Sequence, residues 1–422
     1  MFGCHRINSE LFSLIIELEN TFSLFINKTL KNERYLNTKK VYFLMFLPRE
    51  EANELFEKLD RKEATVLVGP RRAGKSTMAM QMLSLWKQTR GDGVFVDLEQ
   101  PGPPQTFHNL DRAVLGLKKG SLVVLDEVQN VDGWEKWVRK AIEEEKYRFI
   151  ITGSNSKLLS GEAATSLAGR AIPYNILTLS FRDFRKWGGN GIKEYFAIGG
   201  YPECVKRPED RKELLNTYFE LAVLKDVAER YGMREVSALR SFATIALSET
   251  GKKLNIPKTA SRIGVSQPTA RQFFAGLEAA FLILSVPAFD RSPRERETSL
   301  KKVYAYDLGM RSAVSISESE DIGRTWENAV AIELVRRGYS LSYLGGKNEC
   351  DFLAEKIGER IAVQVCSEDD LPERELLGLE QGMKERPGSS GLLITPNMED
   401  TRECKYGKIK VIPLLKWLLE HK

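Results

Sequence analysis

The stretch Gly69-Pro-Arg-Arg-Ala-Gly74-Lys75-Ser76-Thr77 follows an apolar run, Thr65-Val-Leu-Val68, and leads into Thr77–Trp86, where Met78, Met82 and Leu85 share one helical face. It has the form Gly-x-x-x-x-Gly-Lys-[Ser/Thr] between a strand and a helix. Glycines at those positions let consecutive backbone N–H groups curl around a phosphate, and the helix start adds partial positive charge. The lysine side chain reaches the β- and γ-phosphate oxygens, and the hydroxyl after it can ligate Mg2+. Gly69, Pro70, Arg71, Arg72, Ala73, Gly74, Lys75, Ser76 and Thr77 are therefore the candidate ATP-binding residues.

Outward from this motif, Val94–Leu98, Leu122–Leu125, Arg148–Thr152 and Ile176–Leu179 read as four further strands with helical segments between them. Strands and helices alternating at this spacing predict an α/β fold with a parallel sheet covered on both faces. Leu122–Leu125 ends in Asp126-Glu127, two acids at the tip of an apolar strand, the edge at which such sheets bind ligands. Asp126 is the candidate partner of Ser76 in holding Mg2+. Glu127 is placed to orient and polarise an attacking water.

A chain of 422 residues exceeds what one core usually supports, so two or three domains are expected. The net charge of +5 is too small to announce a nucleic-acid partner, and any basic patch must be local. Cys4, Cys204, Cys350, Cys366 and Cys404 stand far apart with no Cys-x-x-Cys pair. That spacing argues against a zinc site or a disulfide framework and fits a reducing, cytoplasmic setting. No apolar run reaches the roughly 18–20 residues of a membrane span, so no membrane partner is expected. The first 44 residues are rich in Asn, Phe, Leu, Ile and Lys and nearly free of Ala and Gly. Met45 could be the native start, with an upstream extension before it; an added helix or two is the competing reading.

From Phe181 to about Leu247 the pattern is helical, with Tyr218, Leu221, Leu224 and Val227 on one stripe. Lys258–Phe273 then has the grammar of a helix-turn-helix. Gly264 closes one helix, Ser266 can cap the next, and Pro268 falls in its first turn. Ala270, Phe273 and Leu277 point inward, leaving Gln267, Thr269, Arg271 and Gln272 as candidate contacts to phosphates or base edges. The strand Leu282–Val286 and the charged loop Arg291–Glu297 behave like a wing. Such units also serve as protein-binding surfaces. Past a link near Ser315–Asp321, a helix (Trp326–Arg336) and strands at Ser340–Leu344, Asp351–Ala354 and Ile361–Val365 predict a second, smaller α/β unit.

These residues resemble the AAA+ ATPases, in particular a prokaryotic, largely archaeal group that joins the P-loop ATPase to a winged helix and a C-terminal restriction-endonuclease-like domain. Asp126-Glu-Val-Gln129-Asn-Val-Asp-Gly-Trp134 looks like that group's extended Walker B, and Arg148-Phe-Ile-Ile-Thr-Gly-Ser154-Asn155 like its sensor-1 strand. The resemblance implies that Ser154, with Asn155 next, meets the γ-phosphate or the attacking water. It implies that Arg170 acts as an arginine finger in a neighbouring subunit, within a homo-oligomer for which a hexameric ring is the expectation. A surface salt bridge is the competing reading of Arg170. Gly199-Gly200-Tyr201-Pro202 is similar to a turn that contacts the adenine ring through Pro202, or is a plain helix-linking turn.

Glu327, Asp351, Gln364 and Cys366 resemble the PD-(D/E)xK nuclease pattern, with Gln364 where that pattern has Glu and Cys366 where it has Lys. An anionic ligand and the activating cation are both missing, which predicts an inactive nuclease. The expected division is residues 1–47 as an extension, 48–180 as the ATPase core, 181–247 as a helical lid, 248–312 as the winged helix and 322–422 as the nuclease-like domain. The expected activity is a Mg2+-dependent ATPase coupling hydrolysis to DNA binding or remodelling. The alternative is a nucleotide-gated signalling switch acting on a protein partner.

Overall fold

The computed structural model describes residues 49–99, 107–159, 162–290, 292, 299–315 and 321–420. The expected extension at residues 1–47, the wing loop Arg291–Glu297 apart from Ser292, and residues 316–320 of the expected link lie outside them. From Arg49 onward the chain forms one unit.

The first sheet contains β1 (Ala64–Val68), β2 (Gly93–Asp97), β3 (Ser121–Asp126), β4 (Tyr147–Gly153) and β5 (Ala171–Asn175), all parallel, in the order β2-β3-β4-β1-β5. The inner strands β1 and β3 are buried over their whole length, as unbroken apolar runs require of a sheet covered on both faces. Alternation sends Val66, Val68, Val123 and Leu125 toward the helix Trp134–Glu143. Leu67, Leu122 and Val124 pack on the opposite face against the helices Glu50–Glu57 and Lys75–Thr89.

One expected strand is corrected. Ile176–Leu179 is not the fifth strand; Ala171–Asn175 is. An edge strand pairs on one side only, here with β1, so its burial is partial, and it tolerates Pro173. The more apolar Ile176–Leu179 continues past the strand and crosses over the P-loop. Ile176 N donates to Val68 O at 2.7 Å. A Cβ on Gly69 would sit 2.0 Å from Ile176 O, so only glycine fits there. High apolarity reported burial in this segment, not strand pairing.

The helical stretch is also corrected at one residue. Tyr218 and Val227 are buried, but Leu224 is 40% exposed. The helix Arg211–Leu221 passes into a π-helical segment, Ala222–Glu229, whose wider turn changes the angular spacing so that Leu224 leaves the expected stripe while Val227 stays on it.

Three helices follow, Val236–Ser248, Ile256–Ile263 and Gln267–Ala279, with the antiparallel pair β6 (Ile283–Val286) and β7 (Lys302–Ala305). Gly264 takes φ +74° after the second helix, and the Ser266 side chain accepts from Thr269 N at 3.2 Å to start the third. Ala270, Phe273 and Leu277 are fully buried, as their spacing predicts.

The last sheet runs β12-β13-β11-β10-β9-β8. Its strands are β8 (Ser340–Leu344), β9 (Cys350–Lys356), β10 (Glu359–Val365), β11 (Ser390–Thr395), β12 (Asp400–Cys404) and β13 (Gly407–Pro413). The helix Ile322–Arg336 covers one face and Glu373–Glu385 the other. Phe181 and Phe184, just past the first sheet, are buried in this last core beside Val330, Leu334 and Trp417. Among the described residues no helix is long and apolar enough to cross a membrane.

Candidate functional site

The P-loop leaves the C-terminal end of β1 and turns into the helix Lys75–Thr89 at Gly74, whose φ of +94° favours glycine. Lys75 is only 3% exposed, and its ammonium donates to Gly69 O at 3.0 Å and Pro70 O at 2.9 Å. Burial pulls its pKa below the ordinary lysine value, against the opposing pull of the Glu127 and Asp226 carboxylates. A buried ammonium at the start of a helix is a donor suited to a polyphosphate. The loop is braced from outside by buried Arg49, which donates to Ala73 O at 2.9 Å and Leu177 O at 2.7 Å. Pro202 also reaches the loop: a Cβ on Gly74 would lie 3.6 Å from Pro202 Cγ.

Asp126 and Glu127 end β3 beside this loop. Asp126 accepts from Thr152 Oγ1 at 2.6 Å and is hydrogen-bonded to Ser76. Thr152 Oγ1 in turn accepts from Glu127 N at 3.0 Å, so one hydroxyl of β4 orients both acids. Glu127 has φ +53°, a left-handed conformation uncommon for a side chain of its kind, and its carboxylate accepts from Gln129. Burial raises the Asp126 carboxyl above the ordinary aspartate value. The hydrogen bonds from Thr152 and Ser76 hold part of that rise back, while the nearby charges of Glu127 and Asp97 add to it.

Ser154 sits at the tip of β4, fully buried, but its strongest partner is one that sequence reading missed. Ser154 Oγ donates to Asp226 Oδ1 at 2.9 Å. Arg71 of the P-loop grips the same carboxylate with two bonds of 3.1 Å, through Nε and Nη2. Arg230 approaches from one turn further along, 3.9 Å from Asp226 and 3.5 Å from Ser154 Oγ. Asn155 Nδ2 donates to Tyr231 OH at 3.3 Å. The π-helical segment thus carries Asp226 into the site. Sequence reading had no signal for Asp226, whose partners lie 155 and 72 positions away.

Arg170 is not part of this constellation. Its carbonyl pairs with Ala64 N at the start of β1, whereas the P-loop leaves the other end. The five residues of β1 put these ends roughly 15 Å apart. Its guanidinium pairs with Glu143 at 3.0 Å on the surface. Gln267, Arg271 and Gln272 are exposed on the helix Gln267–Ala279, while Thr269 is half-buried with its hydroxyl 2.8 Å from Ser266 Oγ.

In the C-terminal unit the expectation of a missing cation is corrected. Lys302 of β7 enters the acid cluster from outside that unit. It lies 2.9 Å from Glu327, 3.0 Å from Glu349 and 3.8 Å from Asp351. Tyr304 OH donates to Glu327 at 2.6 Å. Gln364 accepts from Asp351 N at 3.1 Å and donates to Glu375 at 2.7 Å, and Cys366 turns away to Glu368 O. Among the described residues no group of three or more His, Cys, Asp or Glu is arranged to hold a metal ion. Sequence reading missed Lys302 because it sought a lysine two residues along the same strand.

Comparison with known proteins follows the same outline. The AAA domain family matches residues 61–185, and a domain of unknown function matches residues 189–321. An uncharacterised protein of Methanocaldococcus jannaschii is 30% identical over 86% of this chain and 90% of its own length. An uncharacterised protein of Haemophilus influenzae is 30% identical over 87% of this chain and 97% of its own. The structure of AMPPCP-bound DnaA from Aquifex aeolicus covers 55% of this chain and 89% of that one, at 13% identity and a TM-score of 0.29, a likeness too loose to carry an argument. With a matched AAA domain, a P-loop on its parallel sheet and full-length relatives in archaea and bacteria, this chain belongs to the family of AAA-domain proteins that those relatives share.

Proposed function

We propose that the protein is a Mg2+-dependent ATPase of the AAA+ kind that couples hydrolysis to a change on DNA. The observation that carries the nucleotide reading is the buried Lys75 ammonium facing the Ser76–Asp126 pair and Glu127. Bound Mg2+ would supply the positive charge that neutralises the phosphates and the leaving oxygen. The residues Ser76 and Asp126 would hold it, and Thr152 would keep Asp126 in place. Lys75 would pair with the phosphates. Glu127, fixed by Gln129 and its own backbone bond to Thr152, would orient water. Ser154 would sense the terminal phosphate, and Pro202, packed on Gly74, would lie on the base side. Arg170, on the opposite end of the sheet, would act only in a neighbouring subunit's site, within a homo-oligomeric ring.

The raised pKa of Asp126 gives this reading a pH signature. A proton on the carboxylate opposes metal binding, and burial makes that proton compete at a higher pH than on a free aspartate. Mg2+ affinity, measured by calorimetry with nucleotide present, is expected to fall as pH drops toward that raised value. The stability sign agrees: the folded state holds the proton more tightly than the unfolded chain, so this group favours the fold at low pH and loses that contribution as pH rises. Bound Mg2+ should offset the loss, so its stabilising effect should grow with pH. An Asp126→Asn variant that kept the same pH profile would count against the assignment.

For the DNA contact, the three helices with the β6–β7 pair would form a winged helix, with Gln267–Ala279 as the element presented to the duplex. Gln267, Arg271 and Gln272 are exposed there, and Lys258 and Arg262 lie exposed on or beside the preceding helix. The C-terminal unit would add surface rather than cleavage, since Gln364 and Cys366 stand where the nuclease pattern has an acid and a lysine. Arg271→Ala is expected to weaken DNA about fivefold and to reduce the salt slope of log affinity by about 1. An unchanged slope in a salt titration would move the contact elsewhere. The decisive experiment is ATP turnover with and without single-stranded, duplex and branched DNA, with Lys75→Ala as the blank. Stimulation by DNA is expected; tight nucleotide retention with no DNA effect would favour the signalling switch instead.

A further inference from the structure

Asp226 is an anion without an evident place in a nucleotide site. It is fully buried, yet it lies among the groups that a phosphate would meet: Arg71 of the P-loop, Ser154 at the tip of β4 and Arg230 of its own helix. Lys75 feels its charge together with that of Glu127. The two Arg71 bonds and the Ser154 bond satisfy both Asp226 oxygens with charge-assisted or hydroxyl donors, which is the arrangement a phosphate oxygen pair would otherwise take. Two anions cannot both hold the same donors in a buried site at low cost.

We propose that Asp226 is the residue that distinguishes ATP from ADP: its carboxylate and the terminal phosphate are alternative partners of Arg71 and Ser154. The inference rests on the nucleotide reading above. With a diphosphate bound, Asp226 keeps Arg71 and Ser154. With a triphosphate bound, it releases them, and the π-helical segment Ala222–Glu229 moves away from the P-loop. That segment is a suitable place for the movement, because π-helical backbone is rare and is frequently found at functional sites. The movement would not stay local. Val227, next in sequence, packs on the helix Gln267–Ala279 so closely that a Cβ on Gly276 would sit 2.5 Å from Val227 Cγ1. A shift at Asp226 therefore presses directly on the element proposed to face DNA.

The test compares equilibrium binding of fluorescent ATPγS and ADP to the full chain and to Asp226→Asn, which keeps the side-chain shape and removes the charge. The variant is expected to tighten ATPγS relative to ADP by on the order of tenfold, within the usual range of coupling between sites. ADP affinity should change little. Equal changes for both nucleotides, or weaker ATPγS, would overturn the proposal, the latter by making Asp226 a direct support of the triphosphate. Hydrogen exchange on the unmodified chain gives a reading that does not depend on the variant folding. Residues 222–230 should exchange faster with ATPγS than with ADP, and equal protection would again overturn the proposal. Failure of the unmodified chain to bind either nucleotide would instead refute the nucleotide reading itself.

Discussion

Lys75→Met is expected to abolish nucleotide turnover while raising the thermal stability of the protein. The two effects have one cause. The ammonium is nearly sealed from water, and its hydrogen bonds go to two backbone carbonyls, Gly69 O and Pro70 O. Burial holds its pKa below the ordinary value, so the folded chain binds this proton less tightly than the unfolded chain does. The contribution of this group to stability therefore rises with pH and is a cost at neutral pH. Methionine has nearly the same length and no charge to desolvate. A gain of about 1 kcal/mol would raise the midpoint of thermal unfolding by about 1 °C in a protein of this size. Turnover should fall by about 10²–10³-fold or more, the usual effect of deleting one preorganised charge from a transition state. Differential scanning fluorimetry without nucleotide, beside a phosphate-release assay, reads both. A variant that lost stability would mean that the ammonium's bonds to the loop carbonyls outweigh its desolvation.

Lys302→Met is expected to have the opposite effect on stability, and a larger one. Burial alone would lower the pKa of this lysine, but Glu327, Asp351 and Glu349 outweigh it and hold the value well above the ordinary one. The folded state thus binds the Lys302 proton more tightly, and its full contribution is present throughout the neutral range, to be lost only as pH rises through the folded value. Removing the ammonium leaves Glu327 and Asp351, both only partly exposed, without their counter-charge; breaking a buried pair typically costs about 3–5 kcal/mol, and this pair should approach the lower end. The deficit should shrink on acidification. Burial, followed by the charge of Glu327, already pushes the Asp351 carboxyl well above the ordinary range, and protonation relieves the unpaired charge. Urea melts of the variant and the parent at about pH 8 and about pH 5.5 should converge toward the lower pH. A second variant, Lys302→Met with Glu327→Gln, should recover part of the loss. Equal deficits at both pH values would place the effect in packing against Tyr343 rather than in charge.

The parts legible from sequence were those whose physics is local. Gly69 to Thr77 announces its loop because a phosphate-binding turn needs glycines and a lysine at set spacing. Asp126 and Glu127 announce themselves because two acids after four apolar residues can only be a strand tip. The turn at Gly264 and the cap at Ser266 follow from backbone conformation and a single hydrogen bond between near neighbours. The inward stripe of Ala270, Phe273 and Leu277 follows from helical period alone. Ile176–Leu179 marks the limit of this kind of reading. Its apolarity was read correctly as burial and wrongly as strand pairing, since both produce the same run of residues.

What the tertiary structure alone decided are the long-range charge partners. Asp226 stands 155 positions from Arg71 and 72 from Ser154, yet closes on both. Lys302 meets Glu327 of a helix and Asp351 of β9 from a strand outside that sheet, and supplies the cation that the strand position of Cys366 lacks. A side chain's charge is visible in sequence, but the partner that makes its burial tolerable is chosen by how separate elements pack. The sequence alone determined a phosphate-binding loop with its two acids on a parallel sheet. The structure decided that Asp226 of the π-helical segment holds the loop's arginine, because only packing brings that segment over β4.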